Sequence, residues 1–260
     1  MKIVIIGGGI SAIYIANILA HKEYQVTILS KEKYKPYDRI HLCTLIDNSN
    51  TLEDISLEIH PNVTLTLNEE VLDIYPTTKT ILCKNNSYAY DKLIIATGSK
   101  PKSLFNLSAI KNICTFRSAD DAYKIRNGIK NKNVILVGVG PIGLELLDTL
   151  SKMDVANSIH ILSRGDHLYS KDLDISSVQL MNNIFERNPK VKVSFRDEII
   201  DTTIENNTII TVTTKKRTID KPFIIFGVGI EPNIDFAKGS IETNKGVLVN
   251  DFMQSNDENI

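Results

Sequence analysis

The residues of this chain with the plainest chemical use are glycines. Gly7-Gly8-Gly9-Ile10-Ser11-Ala12 and, far downstream, Gly138-Val139-Gly140-Pro141-Ile142-Gly143 share one spacing. Both fit G-x-G-x-x-[G/A], the pattern by which a strand-turn-helix unit wraps a dinucleotide pyrophosphate. In the first copy Gly7 permits the tight turn. Gly9, with its φ freedom and no side chain, lets the backbone approach the pyrophosphate, and the small Ala12 lets helix and strand pack closely. A helix that starts at such a turn points unpaired N–H groups and a positive dipole end at the phosphates.

Each turn needs a strand before it and a helix after it. Lys2 to Ile6 is a continuous apolar, β-branched run, and Ile13, Ala16, Leu19 and Ala20 then recur at helical spacing. Gln25 to Leu29 reads as the second strand. It ends at Ser30, where dinucleotide folds place an acid for the ribose hydroxyls. Glu32, two residues on, is either a substitute acid from the loop or a solvated loop charge. Tyr34 to Cys43 reads as a loop opening a helix, Thr51 to His60 as a polar helix, and Val63 to Leu67 as a strand. Val71 to Tyr75, Thr80 to Cys83 and Tyr88 to Tyr90 form a predicted antiparallel meander turning at Asn85-Asn86. Leu93 to Ala96 is a buried strand closed by Thr97-Gly98-Ser99 and stopped by Lys100-Pro101. Leu104 to Arg117 reads as a linker, and Ser118 as the N-cap of a helix.

The opening pattern then returns. Val134 to Val137 is a strand, followed by the second glycine turn and a helix through Leu144-Glu145-Leu146-Leu147. Ser158 to Leu162 is the next strand. Val191 to Phe195, Ile199 to Ile204 and Ile209 to Thr213 make a second meander around Asn206-Asn207, and Phe223 to Phe226 is a buried strand ending at Gly227-Val228-Gly229. A repeat of this length means two similar domains. Two dinucleotide folds suggest two different dinucleotides, and the chemistry that joins them is hydride transfer between a nicotinamide and a flavin.

Composition narrows the field. The chain has 260 residues, 30 basic and 31 acidic, with a formal net charge of −1, which argues against an electrostatic nucleic-acid binder. No apolar run reaches the roughly 18 residues of a membrane span. The first strand starts at Lys2 and enters the turn directly, so no signal peptide is expected. Cys43, Cys83 and Cys114 are odd in number and far apart, which argues against a disulfide framework, a zinc knuckle or an iron–sulfur cluster. No metal site is expected, and a reducing cytoplasm is the expected compartment.

Four segments together resemble the two-dinucleotide-binding flavoproteins, the pyridine nucleotide–disulfide oxidoreductase superfamily. They are Gly7 to Ala12, Ala96-Thr97-Gly98-Ser99, Gly138 to Glu145, and Gly227-Val228-Gly229-Ile230-Glu231-Pro232-Asn233. Within it, Pro36-Tyr37-Asp38-Arg39-Ile40-His41-Leu42 and Tyr90 to Ser99 look most like the flavin domain of NAD(P)H-dependent nitrite reductase large subunits, with NADH:rubredoxin reductases close behind. The resemblance implies an α/β fold of two Rossmann-like FAD/NAD(P)-binding domains, each in three layers (ββα). The NAD(P) domain is inserted into the FAD domain, with boundaries at 1–108, 109–230 and 231–260. It implies FAD across the first fold, NAD(P)H across the second, and hydride passing to flavin N5. Gly7, Gly9 and Ala12 would hold the FAD pyrophosphate. Ser30 and Glu32 would lie at the ribose, and Arg39 at FAD phosphate or adenine. Ala96, Thr97 and Gly98 would line the flavin. Gly138, Gly140, Ile142 and Gly143 would hold NAD(P)H together with Gly229, and Glu145 would sit near the nicotinamide. Electrons would pass to a rubredoxin-like protein, a sirohaem domain or a small oxidant. A dinucleotide-binding module without turnover is the alternative from another class.

The sequence departs from the family pattern at four places. Ser30 replaces the usual ribose acid. Ser163-Arg164 stands where NADH-specific members carry an acid, and a guanidinium there suits a 2′-phosphate. Cys43 lies near the site of the redox cysteine of disulfide- and peroxide-reducing members, which keeps a Cys43-dependent reductase as a third reading. No second cysteine follows within a few residues to make a dithiol pair, and Ile10 stands where flavin oxidases and peroxidases carry a histidine, so an unreactive Cys43 is expected. The sequence also stops at Ile260, ahead of the family's last flavin strand and its acidic ribityl contact, so FAD is expected to be held less tightly.

Overall fold

β1 (Lys2–Ile6) is the middle of a fully parallel sheet, because its β-branched side chains are buried on both faces. In the computed structural model, which describes residues 1–102, 109–138, 140–168 and 173–260, the chain divides into two compact units. The first contains Met1–Arg39, Leu52–Lys100 and Glu231–Ile260; the second contains Ile40–Thr51 and Pro101–Ile230.

In the first unit, β1 lies between β2 (Gln25–Leu29) and β7 (Lys92–Ile95), and β3 (Val63–Thr66) extends the sheet in the order β3-β2-β1-β7. Side chains alternate across a strand, so β1 feeds two cores. Ile3 and Ile5 pack with Ala12, Ile13, Ala16 and Ala20 of α1 (Ile10–Ala20). Val4 and Ile6 pack with Ile74, Ile81, Cys83 and Tyr90. That second face is covered by the antiparallel meander β4 (Val71–Tyr75), β5 (Thr80–Cys83) and β6 (Ser87–Ala89). Meander, sheet and helix make three layers.

The second unit repeats the plan. β10 (Asn133–Val137) lies between β11 (Ser158–Ser163) and β16 (Pro222–Phe226), flanked by β12 (Val191–Phe195) and β9 (Ile113–Thr115), all parallel. Its meander is β13 (Ile199–Glu205), β14 (Thr208–Thr214) and β15 (Thr218–Asp220). Asn206 and Asn207 turn the first hairpin with φ 48 and 61, the left-handed pair that a two-residue loop requires. Ile209, Val212 and Ile219 pack on Ile135, Leu162 and Ile224. The helices are α3 (Ala119–Gly128), α4 (Pro141–Met153), α5 (Ile175–Glu186) and the short α2 (Leu42–Ile46), which packs on α3 and α4. Ser118 caps α3 in a capping box with Asp121.

Several expectations are corrected. Thr51 to His60 is not helical. Residues 52–55 make one turn, and the chain then runs back along the Tyr34 loop, with Tyr37 bridging Ser56, Asp38 N–H to Ile55 O at 2.8 Å and Leu57 N–H to Pro36 O at 2.8 Å. Burial of Ile55 and this pairing override a composition that suited a helix. The described part of the expected linker contains β9, the edge strand of the second sheet. Pro101 does not follow a finished strand; it is the last residue of β8 (Ser99–Pro101), which pairs with β17 (Ile230–Pro232). α5, capped by Asp174, and the short β15 and β17 went unread. The segment Ile40–Thr51 packs within the second compact unit. Residues 104–108 of the expected linker and Val139 of the second glycine turn lie outside the described residues.

Candidate functional site

The first glycine turn combines three different demands. Gly7 has φ +113, and a Cβ there would overlap the Ala96 carbonyl. Only glycine fits, and the close approach is fixed by Gly7 N–H to Leu29 O and Ala96 N–H to Ile6 O, both 2.9 Å. Gly8 lies so close to the second strand that a Cβ would come within 2.8 Å of the Ser30 hydroxyl. Gly9 differs from the expectation. Its φ of −89 is open to any residue, so φ freedom is not its role. A Cβ on Gly9 would meet nothing within 4 Å. What this glycine preserves is open space in front of α1, a helix whose N-cap offers no side-chain hydrogen bond. Ala12 is fully buried behind it.

The residues that follow β2 form a linked group. Ser30 is buried, and its hydroxyl accepts the Glu32 N–H at 3.4 Å. The Glu32 carboxylate accepts from the Tyr37 hydroxyl at 2.5 Å and from Arg39 Nη2 at 2.5 Å, while Arg39 Nη1 donates to the Tyr37 oxygen at 3.2 Å. The guanidinium also lies 5.1 Å from the Tyr37 ring centroid. Burial opposes the Arg39 charge, but Tyr37 and Glu32 outweigh it and hold Arg39 above its ordinary value. The two residues singled out by sequence are thus a direct ion pair, and the Tyr37 hydroxyl bonds to both of them. At the end of β7, Gly98 adopts φ 63, the Thr97 hydroxyl donates to Asn233 O at 2.6 Å, and Asn233 N–H returns to Gly98 O at 2.9 Å. This fixes Ala96 to Gly98 beside Gly7.

The second glycine turn repeats the arrangement. Gly138 has φ +94, and a Cβ there would lie 2.5 Å from Gly227 O. A Cβ on Gly143 would lie 2.6 Å from Gly138 O, so the third position demands glycine here. Gly140 has an ordinary φ of −73 and open space within 4 Å, and it starts α4 with Pro141 in the first turn and no side-chain cap. In contrast, α3 and α5 are capped by Ser118 and Asp174. Both glycine turns therefore fit a pyrophosphate by the same test: a cradle that a Cβ would fill, faced by uncapped N–H groups. Ile142 is partly buried in the first turn of α4, and Gly229, with φ +106, accepts the Lys102 N–H at 3.0 Å.

The family model described as pyridine nucleotide-disulphide oxidoreductase matches residues 1–260. The chain belongs to the pyridine nucleotide-disulphide oxidoreductase family. This family member is 27% identical over 268 residues to the NADH-rubredoxin oxidoreductase of Clostridium acetobutylicum, covering 100% of this chain and 66% of that protein. It is 28% identical over 269 residues to the NAD(P)H nitrite reductase of Bacillus subtilis strain 168, covering 98% of this chain and 33% of that one. The chain thus spans a third to two thirds of these relatives. Its fold matches a reductase chain in the covalent putidaredoxin reductase–putidaredoxin complex with a TM-score of 0.89 at 19% identity, over 99% of this chain and 66% of that one.

In this pyridine nucleotide-disulphide oxidoreductase, Cys43 sits in a buried environment beside a carboxylate. Cys43 is 6% exposed on α2, where α2 meets α4. Burial, then the Glu145 carboxylate, push its thiol up to about 12, against a smaller opposing hydrogen bond from Thr149. A thiolate is scarce there at neutral pH. Cys43, Cys83 and Cys114 are all free and buried. Glu145 itself is exposed on α4. Arg164 is exposed just past β11, and the Ser163 hydroxyl before it accepts the Gly165 N–H at 3.2 Å. Among the described residues no helix is long and apolar enough to cross a membrane, and no cluster of metal ligands is present.

Proposed function

We propose that this chain takes reducing equivalents from NAD(P)H through FAD to a separate acceptor. One observation carries the reading: two glycine turns, each on its own parallel sheet, leave open space at the second glycine before an uncapped helix. Gly7, Gly9 and Ala12 hold the FAD pyrophosphate, with Ser30, Glu32 and Arg39 on the adenosine side and Ala96, Thr97 and Gly98 along the flavin. Gly138, Gly140, Ile142, Gly143 and Gly229 hold NAD(P)H, and Glu145 lies near its nicotinamide. When bound, FAD supplies a two-electron carrier between the nicotinamide and the acceptor. Residues 1–108 and 231–260 serve FAD, and 109–230 serve NAD(P)H. The printed name of the Clostridium relative supports a rubredoxin-like protein as acceptor and that of the Bacillus relative a nitrite-reducing centre, for which a sirohaem domain is the candidate, with a small oxidant as the third possibility. Arg164 favours NADPH, because a guanidinium pairs with a 2′-phosphate. Cys43 takes no part in the electron path. Three free cysteines suit a reducing cytoplasm.

The test is direct. Purified protein should carry flavin absorbance, and anaerobic NADPH or NADH should bleach it within the time of turnover. A chain that purifies colourless and takes up no added FAD, or whose flavin neither nucleotide reduces, would overturn the reading.

A further inference from the structure

Each unit buries a carboxylate that the glycine turns do not account for. In the first unit it is Glu69, 3% exposed, and in the second Asp197, 1% exposed. Both hold the same place in the repeat. Each comes after the third parallel strand and one left-handed residue, Asn68 with φ 54 or Arg196 with φ 51. Each donates its backbone N–H to the serine that ends the second strand, Glu69 to Ser30 O at 2.9 Å and Asp197 to Ser163 O at 3.0 Å. Each opens a matching stretch, Glu69-Glu70-Val71-Leu72-Asp73 or Asp197-Glu198-Ile199-Ile200-Asp201. The next carbonyl, of Glu70 or Glu198, accepts a meander N–H, from Lys84 at 2.8 Å or Lys215 at 3.2 Å.

The carboxylates tie this corner to the meanders. Glu69 Oε1 accepts from Asn85 N–H at 3.1 Å, and Oε2 from Asn86 Nδ2 at 3.0 Å and the Tyr88 hydroxyl at 3.2 Å. Asp197 Oδ2 accepts from the Thr214 hydroxyl at 3.1 Å and Oδ1 from Glu198 N–H at 3.0 Å. An apolar residue would fill either place without desolvating a charge. The acid instead supplies a fixed link from the meander, through the serine carbonyl, to the serine hydroxyl. That hydroxyl orients the residue two further on, Glu32 or Gly165. In the first unit it also backs Gly8 of the glycine turn. The end of the second strand is where a dinucleotide fold meets the ribose.

We infer that Glu69 and Asp197 are positioning residues, each setting the ribose-facing end of the second strand in its own unit: Glu69 for FAD and Asp197 for NAD(P)H. The inference rests on the functional reading above and adds to it two buried acids that touch neither ligand. The test uses the full chain loaded with FAD, carrying Glu69→Ala or Asp197→Ala. FAD retention is read from the rise in flavin fluorescence on dilution. Nucleotide binding is read from KM for NADPH and NADH with ferricyanide as acceptor. Loss of a buried hydrogen-bonded anchor should weaken FAD about tenfold in Glu69→Ala, with the nucleotide KM held within about twofold. In Asp197→Ala the nucleotide KM should rise about tenfold, with kcat and FAD affinity held within about twofold. Glu69→Gln and Asp197→Asn keep an acceptor oxygen and should recover most of each loss. Tyr88→Phe and Thr214→Val should show the same split in smaller measure, and they carry the test if an alanine variant fails to fold. Variants that lose thermal stability while keeping both affinities, or that weaken both ligands alike, would overturn the inference alone. A wild type that retains no FAD and is not reduced by NAD(P)H would overturn the functional reading beneath it.

Discussion

Replacing Gly9 by alanine should leave the fold nearly untouched and remove the flavin, whereas the same change at Gly7 should damage the fold itself. At Gly9 the backbone has φ −89, and the new methyl group meets nothing within 4 Å. Restricting the unfolded chain at such a compatible position contributes about 0.4–1 kcal/mol of stability. Gly9 is also the N-cap of α1, where alanine is the poorer residue, at a cost of about 0.5–1 kcal/mol. The two effects oppose, so the net change should stay within about 1 kcal/mol, or a melting shift below about 4 °C. At Gly7, φ +113 alone costs an alanine about 1–3 kcal/mol. Driving its Cβ into the Ala96 carbonyl adds an overpacking cost of about 1–3 kcal/mol. Binding behaves the opposite way at Gly9. A methyl group in the cradle pushes the pyrophosphate off the backbone, and FAD affinity should fall more than about tenfold, about 1.4 kcal/mol or more. Gly9→Val should abolish it. Thermal melts of flavin-free protein and fluorescence titration with FAD separate the two effects. If Gly9→Ala melted as low as Gly7→Ala, or bound FAD as tightly as wild type, the space-keeping role would be wrong.

Arg164→Ala should weaken NADPH more than NADH by about 1–3 kcal/mol, the worth of a charge-assisted bond, read as the ratio of the two KM values; equal loss for both nucleotides refutes the assignment. Cys43→Ser should keep NAD(P)H-to-ferricyanide turnover within about threefold, less than about 1 kcal/mol in barrier, and one extra two-electron equivalent taken up by wild type would reveal a cysteine redox centre instead. His160 on β11 is 7% exposed, its Nε2 bonds the Ser158 hydroxyl at 2.8 Å, and burial, then Lys192 and Arg217, push its pKa down to about 4. From pH 6.5 down to 4 the unfolded chain takes up a proton that the folded chain refuses. Urea unfolding should therefore show stability falling by about 2 kcal/mol between pH 6.5 and 5, and a slope unchanged in His160→Gln would assign the loss elsewhere.

Much of this architecture is legible because its signals are local. β-branched runs around glycine turns set both parallel sheets, and paired asparagines set the second meander's hairpin. Thr51 to His60 has a composition that suits a helix, and composition alone cannot reveal its pairing with Pro36 and Asp38. β9 is a three-residue edge strand, too short to carry a readable pattern. At the sites, residue types were readable and partnerships were not. Glu32 and Arg39 stand out singly, but only the folded loop brings them together around Tyr37. The Cys43 thiol is pushed up first by burial and then by Glu145 of α4, about a hundred residues away in sequence. Glu69 and Asp197 carry a signal in their matching flanks, but a carboxylate in a polar stretch reads as solvated until the fold buries it.

The placement of α2 bears on how the molecule can be dissected. Four of its five residues, Leu42, Cys43, Leu45 and Ile46, are buried. Arg126 of α3 fastens the segment through Leu45 O at 3.3 Å and the Asn48 side chain. A fragment cut at 101–230 would hold the whole five-stranded sheet and its glycine turn, yet it would lack this helix. With each lost Leu or Ile contact worth about 1.5–3 kcal/mol, such a fragment should be marginal and prone to self-association through the bared faces of α3 and α4. A synthetic peptide spanning 40–51, added in trans, is the natural complement to restore it.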